Sequence, residues 1–269
     1  MRMFNRLVDG GYLSWMFGTS AGNYGNWDTV RFDFRDDLLI LDHPAQLDRE
    51  VLYPQYKSRR RLRAKEDPER QRLRKRVGEF QELLREDPII SWDWEPGWEA
   101  DDLLLFTWLK SGRDKEVIGV DKDYLQVPGI WQFLRNIHGD HLLNEFSDVS
   151  RRFPRFCHPL QNPRDFLIAQ VLLGDRSDGV PRILPPRDYL TYMRIRNSAT
   201  PFTETYCLFG APALLNIMLL VMPNPGPQID GGLALLGELD QGIYWDHVMD
   251  GKRQLIRGLD GAMETFYPR

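Results

Sequence analysis

The sequence contains few of the residues that mark disulfide, zinc or nucleotide-loop chemistry. Its 269 residues include two cysteines and five histidines. Cys157 and Cys207 could form one disulfide, but two reduced, buried thiols are the expectation for a cytoplasmic chain. His138 and His141 are three residues apart without a further ligand set of zinc spacing, and no GxxxxGK[ST] loop is present. These absences argue against disulfide-rich, zinc-binding and P-loop classes.

Long apolar runs are also missing. The longest one, around residues 211–222, is too short to cross a bilayer. The first residues, MRMFNR, lack the apolar stretch of a secretory signal. We therefore expect a cytoplasmic protein with no membrane partner. A hydrophobic share of 42% and a charged share of 28% are ordinary for a folded domain.

The charges are segregated along the chain, although the net charge is only -4. One stretch is strongly basic, with only Glu66, Asp67 and Glu69 as acids. Its basic residues are Lys57, Arg59, Arg60, Arg61, Arg63, Lys65, Arg70, Arg72, Arg74, Lys75 and Arg76. A protein with one basic segment and separate acidic groups can bind a polyanion and also hold cations.

Short apolar runs bounded by turn residues predict buried parallel strands with helices between them. They cover residues 4–8, 38–41, 89–94 and 116–120, and three of them run into Asp9, Asp42 or Asp121. Ligands bind beyond the carboxyl ends of such strands, so these aspartates should converge on one crevice. Any single one could instead be a turn former or a helix N-cap. The fold class expected is therefore α/β, with a mostly parallel central sheet flanked by helices.

Helical patterns fill most of the remaining chain. Residues 57–86 are predicted to form two charged helices separated by Pro68, the first projecting into solvent. Further helices are expected at 99–109, 164–173, 187–196 and 211–222. The last of these belongs to a small helical remainder, residues 197–269, which also holds a loop rich in proline and glycine.

The acidic residues fall into groups that suit a magnesium site. They are Asp9; Asp42; Glu99, Asp101 and Asp102; Asp121 and Asp123; and Asp175 and Asp178. Mg²⁺ prefers carboxylate oxygens placed around a cleft and usually keeps several waters. Two such ions about 4 Å apart can activate a water and stabilise the leaving oxygen of a phosphodiester.

Five motifs occur in an order that resembles the flap endonuclease and 5′→3′ exonuclease family. They are VDG at 8–10, LYPQYKSRR at 52–60, GWEADD at 97–102, DKDYLQ at 121–126 and GDRSDGVP at 174–181. Asp42 and Arg49 stand between the first two motifs, as the family pattern requires. The resemblance covers roughly residues 4–195. It implies the PIN/FEN-like nuclease core, with a helical arch at about 57–90 that surrounds or clamps a 5′ single strand.

The resemblance also implies roles for individual residues. Glu99, Asp101, Asp121 and Asp123 match the ligands of the first metal group, and Asp175 and Asp178 match the acids that complete a second site. Asp9, Asp42 and Asp102 match direct or water-mediated partners of the first group. Lys57 and Arg60 match basic residues that contact the scissile phosphate, and Tyr56 matches an aromatic that can stack on a base. The cofactor implied is a pair of Mg²⁺ ions, for which Mn²⁺ can substitute.

One departure follows Asp178, where Gly179 replaces the family asparagine and the next hairpin lacks a GxxGIG sequence. Proline removes amide donors there, so support for a K⁺ site is weak. We expect the DNA contacts to include Arg59, Arg61, Arg63, Arg182 and Arg187, with Arg176, Arg194 and Arg196 as further candidates for duplex grip.

The domain organisation predicted is a nuclease core with the arch at 1–160 and a helix–hairpin–helix region with a C-terminal helical segment at 161–269. The expected activity is metal-dependent hydrolysis of DNA near 5′ ends, flaps or nicks, in replication or primer removal. An RNA–DNA hybrid is a possible substrate, and a monomer is expected. A phage-encoded protein would act in the host cytoplasm. Two alternatives stay open: a PIN-like ribonuclease of single-stranded RNA, and a non-catalytic DNA-binding relative.

Overall fold

The central sheet of the computed structural model has six strands in the order β3-β2-β1-β4-β5-β6. The structure describes residues 4–19, 34–119, 121–130, 132–136, 139–143, 162–224 and 232–250, without the side chains of 17–19, 63, 64, 132–143 and 232. The strands are β1 (Arg6–Asp9), β2 (Leu38–Ile40), β3 (Ser91–Asp93), β4 (Glu116–Ile118), β5 (Gln132–Asn136) and β6 (Gly139–Leu143). All neighbours are parallel except β5 and β6. The predicted α/β class is confirmed.

Helices cover the sheet and form the rest of the described chain. They are α1 (Gly10–Thr19), α2 (Asp48–Leu52), α3 (Ser58–Glu66), α4 (Pro68–Glu86), α5 (Ala100–Lys110), α6 (Pro163–Leu173), α7 (Tyr189–Arg196), α8 (Pro201–Phe209), α9 (Ala211–Leu220), α10 (Gly232–Gln241) and α11 (Tyr244–Met249), with a 3-10 turn at Asp123–Gln126. None of these described helices is both long and apolar enough to cross a membrane.

Alternating side chains of the strands fill two cores on opposite faces of the sheet. Leu7 and Val117 pack into a large core with α5, α6 and the C-terminal helices. Val8 and Ile118 face a smaller core that includes Leu84 of α4. Because successive strand residues point to opposite faces, burial on both sides produces the continuous apolar runs of the sequence.

Proline and caps set the helix boundaries around the basic stretch. The predicted division at Pro68 is confirmed, since α3 ends at Glu66 and α4 begins at Pro68. Asp67 caps α4 by accepting from the backbone N–H of Glu69 and Arg70 at 3.0 and 3.3 Å. Proline suits the first helical position because no intrahelical bond is needed there.

Several boundaries differ from the sequence prediction. The first predicted strand starts at Arg6 rather than Phe4 and includes Asp9. The helix expected from Arg187 begins at Tyr189, because Asp188 caps it with a bond to Thr191 N–H. The sequence interpretation did not include α1, α2 or the β5–β6 pair. Their patterns are short, and the tertiary context decides such segments.

The predicted cysteine and histidine features are only partly within the described residues. Cys207 is a free thiol, as expected, but it is exposed, so its predicted burial is wrong. It lies in the short helix α8, whose other face supplies the buried residues. Cys157, His138 and the side chain of His141 lie outside the described part of the chain.

Candidate metal centre and nucleic-acid interface

A tight loop after α6 carries Asp175 and Asp178. It is closed by two backbone hydrogen bonds between Asp175 and Val180, at 3.1 and 2.9 Å. Gly174 makes this closure possible, because its φ is 70° and a Cβ there would lie 2.5 Å from the Val180 carbonyl oxygen. The loop therefore presents two carboxylates that are three residues apart on one side.

Asp175 and Asp178 meet Asp123 from the turn after β4. One carboxylate oxygen from each lies within 4.8 Å of the others. Three hard oxygen donors at this spacing fit a divalent cation that keeps some of its waters. Asp123 is 52 residues before Asp175 in the sequence, so the fold brings the group together.

Polar neighbours orient two of the three carboxylates, those of Asp123 and Asp175. Lys122 Nζ donates to Asp123 Oδ1 at 2.7 Å and also forms an ion pair with Asp175. Gln170 Nε2 donates to the same Asp123 oxygen at 2.5 Å, and Ser177 donates from N–H and hydroxyl to Asp175 Oδ1. The group is therefore oriented from three sides.

The carboxyls of this loop differ in their proton affinity. Burial opposes ionisation of Asp175, but the Lys122 ammonium and the Ser177 donors outweigh it and lower the pKa of Asp175. Burial raises the pKa of Asp178, with Lys57 opposing and Asp175 reinforcing that effect. Crowding of like charges favours a bound cation, because the cation relieves the repulsion.

A second acidic group lies at the carboxyl ends of β1 and β4. Tyr124 links two of its members by donating its hydroxyl to Asp101 Oδ1 at 2.7 Å and, more weakly, to Asp9 Oδ2 at 3.4 Å. Burial raises the pKa of Asp9 to about 6, with a further increase from Asp42. Burial and Asp123 raise the pKa of Asp121 to about 7, which joins this group electrostatically to the first.

Asp101 completes the connection between the strand ends and α5. Burial, then Asp121 and Asp9, raise the pKa of Asp101 well above its ordinary value. Asp42 contributes differently, because its Oδ1 accepts from the Ala100 N–H at 2.9 Å. Asp42 thus caps α5 from the end of the neighbouring strand and sets the direction of Asp101.

Glu99 lies in a buried ionic network at the base of α3. Arg49 Nη1 and the Tyr56 hydroxyl both donate to Glu99 Oε2 at 2.8 Å, and Lys57 forms an ion pair with Oε1. Burial opposes ionisation, but Lys57 and Arg49 lower the pKa of Glu99 to about 2. The carboxylate is therefore ionised at neutral pH beside Asp101, whose pKa it helps to raise.

Asp102 belongs to the same buried network, because Arg49 Nη1 contacts both Glu99 and Asp102. Arg49 donates from both terminal nitrogens to its carboxylate, at 2.9 Å from Nη2 to Oδ1. The Asn224 N–H donates to the same Oδ1 at 2.8 Å. Both oxygens of Asp102 are thus engaged within the protein, and its metal role stays a prediction.

The base of α3 places two cations beside the acids. Lys57 adopts a left-handed conformation with φ of 52°, and its N–H donates to the Asp178 carbonyl at 2.6 Å. Arg60 Nη1 lies 3.9 Å from Asp178 Oδ1. Strained backbone of this kind is held by surrounding structure and is common at functional sites.

Tyr56 is buried, whereas stacking on a base requires an exposed ring. Its side chain is 3% exposed and lies against Arg49 and Lys57. A base needs an accessible ring face, so this burial argues against stacking on Tyr56. The tyrosine instead holds Glu99 in place.

The predicted DNA-binding arginines are distributed over two surfaces. Arg59 and Arg182 are exposed near the acidic loop, whereas Arg61 forms an ion pair with Glu50. Arg187 is exposed, with φ of 67°, and the side chain of Arg63 lies outside the described part. Arg194 and Arg196 pair with Glu204 and Asp165, so the protein itself uses these two cations.

Sequence reasoning gave no role to several residues that organise the site. Arg49, Lys122, Tyr124 and Gln170 all contact the acids. Gln126 is fully buried and binds Leu220 O and Met222 N, which joins the site to the segment after α9. Lys122, Tyr124 and Gln126 belong to the DKDYLQ motif, whereas nothing in the local sequence distinguishes Gln170.

Comparison with known proteins gives a match at the level of structure. No family model matches the sequence, and no curated protein matches it significantly. A bacteriophage T5 flap endonuclease complex with DNA and metal ions is similar, with a TM-score of 0.61, 14% identity and coverage of 91% of this chain and 98% of that one. Bacteriophage T5 5′-exonuclease with bound zinc gives a TM-score of 0.62 and 15% identity, covering 90% and 98%. This chain therefore has the fold of the T5 flap endonuclease and 5′-exonuclease structures, as the motif resemblance predicted.

Proposed function

We propose that the protein is a structure-specific 5′-nuclease that hydrolyses DNA phosphodiesters near 5′ ends, flaps or nicks. The observation that carries the proposal is the three-carboxylate group of Asp123, Asp175 and Asp178, which lies beside a second acidic group and beneath the cations of α3. The similar T5 structures are named as a flap endonuclease and a 5′-exonuclease, which supports the same reaction class.

The donor set fits two divalent cations. Asp123, Asp175 and Asp178 would hold one ion, and Asp9, Asp101 and Asp121, with Glu99, would hold the other. Two bound Mg²⁺ ions would lower the pKa of a coordinated water and stabilise the leaving oxygen. Mg²⁺ is proposed because the donors are all carboxylate oxygens, with Mn²⁺ as a substitute.

The cations of α3 complete the proposed site. Lys57 and Arg60 lie beside Asp178 and can hold a phosphate that bridges the acids and the arch. Arg49 and Tyr56 keep Glu99 ionised and fixed. The protein thus supplies orientation and charge complementarity to the phosphate before any bond is cut.

The natural substrate is proposed to be a branched or nicked DNA in replication or primer removal, as a phage-type enzyme would meet. A panel of 5′-labelled flap, nicked duplex, RNA–DNA hybrid and single-stranded RNA, incubated with Mg²⁺, tests this. Release of short 5′ products from the flap or nick is expected. Preferential cleavage of single-stranded RNA would favour the PIN-like ribonuclease. Binding without cleavage of any member would favour the non-catalytic relative.

A further inference from the structure

A second cleft lies beside the proposed metal centre, on the other side of the loop after α6. Its volume is about 830 Å³. One wall is formed by Tyr53 and by Arg59 and Leu62 of α3, and the other by Leu173, Arg176 and residues 179–182. The two walls meet closely, because a Cβ on Gly179 would lie 2.8 Å from the Gln55 carbonyl oxygen.

The cleft adjoins the acidic site through the backbone. The Lys57 N–H donates to the Asp178 carbonyl, which ties the base of α3 to the loop that carries the acids. Gly179, the next residue, lines the cleft. A strand with a phosphate at Asp178 would therefore have an adjacent nucleotide within reach of the cleft.

The charge of the cleft is opposite to that of the metal centre. Arg59, Arg176 and Arg182 line it, and none of the lining residues that the structure describes is acidic. Among the described residues, neither Arg59 nor Arg176 has an ion pair or side-chain hydrogen bond, whereas neighbouring Arg60 and Arg61 face Asp178 and Glu50. Both arginines are therefore available to bind phosphate oxygens.

The cleft also contains apolar side chains, which a site for phosphate alone would not need. Leu62 is 56% exposed, although it is flanked by arginines on a helix that is otherwise polar. It faces the same space as Tyr53 and Pro181. Aromatic side chains beside cations are the combination that binds the bases and the phosphates of a single strand, and Tyr53 supplies the aromatic ring here.

We propose that this cleft binds one unpaired nucleotide next to the bond that is cut, with its base against Leu62, Tyr53 and Pro181 and its phosphate against Arg59 and Arg176. The volume is within the range of small-molecule sites and admits a base with its sugar and phosphate. The inference rests on the proposed nuclease function, because it places the substrate strand at Asp178. It adds a nucleotide subsite that would select unpaired over paired DNA at that position.

An abasic scan of a 5′-flap DNA tests the proposal. Binding is measured by fluorescence anisotropy in EDTA, so that no bond is cut, with one base removed at each position near the junction. The wild type should lose affinity about 5- to 100-fold at one position or at two neighbouring ones. Leu62→Ala should remove most of that position-specific loss, whereas Leu83→Ala, which truncates a similarly exposed leucine on α4, should retain it.

Arg176→Ala tests the phosphate contact. It should weaken binding of intact and abasic DNA alike and reduce the salt dependence of binding by about one phosphate. The subsite would be overturned if removal of a base reduced wild-type affinity equally at every position. It would also be overturned if the position-specific loss of affinity were unchanged in Leu62→Ala. Cleavage of the intact flap in Mg²⁺ is scored separately, so a flat profile with cleavage refutes only the cleft. A position-specific loss without cleavage refutes only the nuclease, and an absence of DNA binding refutes both.

Discussion

At the residue scale, Asp175 is the carboxylate with the most polar support in the acidic loop. Lys122 and Ser177 orient its two oxygens, and its pKa is lowered, so it offers an ionised ligand at neutral pH. A neutral amide of the same shape would keep the loop but lose the charge. A substitution of Asp175 is therefore expected to affect catalysis with less effect on folding than a substitution of a neighbouring acid.

We expect Asp175→Asn to reduce flap cleavage by at least about 100-fold and to weaken Mg²⁺ binding, because one anionic ligand is lost. DNA binding in EDTA should change little. Single-turnover cleavage and calorimetric metal titration provide the measurements. Asp188→Asn is the matched control, since asparagine caps α7 as well as aspartate does. Wild-type cleavage by Asp175→Asn would remove this residue from the catalytic set.

Lys57 is expected to act on the phosphate rather than on folding alone. Lys57→Ala should slow single-turnover cleavage about 10²- to 10³-fold, because a positioned cation near the reacting phosphate is lost. Lys65→Ala, which removes an exposed cation from α3, the helix that follows Lys57, should have a small effect. Equal rates for the two variants would refute the role assigned to Lys57.

Asp48 provides a pH-dependent prediction about stability. Its side chain is buried, and neither carboxylate oxygen has a hydrogen-bond partner among the described residues. Burial, reinforced by Asp102, raises its pKa from 3.8 to about 7. The folded protein then holds a proton that the unfolded chain has released, so this group lowers stability as pH rises from about 4 to 7.

Asp48→Asn should therefore become more stable relative to wild type as pH increases across that window, measured by urea unfolding in EDTA at pH 5 and pH 8. Asp165→Asn serves as the contrast, because it breaks the ion pair with Arg196 and should destabilise the protein at pH 8. A pH-independent difference between Asp48→Asn and wild type would contradict the assignment.

At the element scale, two helix starts decide the geometry of the site. Asp42 caps α5 from the end of β2, and Asp67 caps α4 within its own segment. The Asp42 cap connects α5 to the sheet, and the Asp67 cap stabilises the first turn of α4. The Asp42 cap therefore connects the end of β2 to the helix that begins at the acids, and the Asp67 cap fixes the start of the second basic helix.

Asp67→Ala should destabilise α4 by about 1 kcal/mol, because two amide N–H groups lose their acceptor. Faster hydrogen exchange at Glu69 and Arg70, with little change in β1, would show that the effect is local. Asp67→Asn, which retains a capping oxygen, should restore most of the protection. Uniform loss of protection throughout the protein would contradict this local role.

Much of this element pattern could be predicted from the sequence. Pro68 divides the basic helices, and the apolar runs give four strands of the sheet, because these signals are local in the chain. The β5–β6 pair and α2 could not be found, since short segments depend on contacts made elsewhere. The burial of Tyr56 was missed for the same reason, because Glu99 is 43 residues away.

At the scale of the whole molecule, charge is segregated, so the proposed binding of DNA is compatible with a negative net charge. The net charge of -4 averages the two basic helices α3 and α4 with acids that face inward. Because α5 begins at the acids and runs about 16 Å away from them, the charges at its far end have little influence on the site. Net charge is therefore a poor guide to the partner of this protein.

Flap binding should weaken steeply with salt, because bound phosphates release counterions. Replacement of Arg72, Arg74 and Arg76 by alanine should reduce the slope of log K against log salt by up to about 0.7 per contact with a single strand. Removal of Lys110, Arg113 and Lys115 at the far end of α5 should leave the slope nearly unchanged. Equal effects of the two sets would indicate nonspecific attraction.

The sequence by itself determined the strand–helix alternation, the two basic helices and the acids that follow strands, because periodicity, proline and charge act within a few residues. Only the tertiary structure decided which carboxylates share a cation site and which are engaged by Arg49. It also decided that a cationic cleft adjoins Asp178. These depend on distances between segments far apart in the chain, which local physical chemistry does not specify.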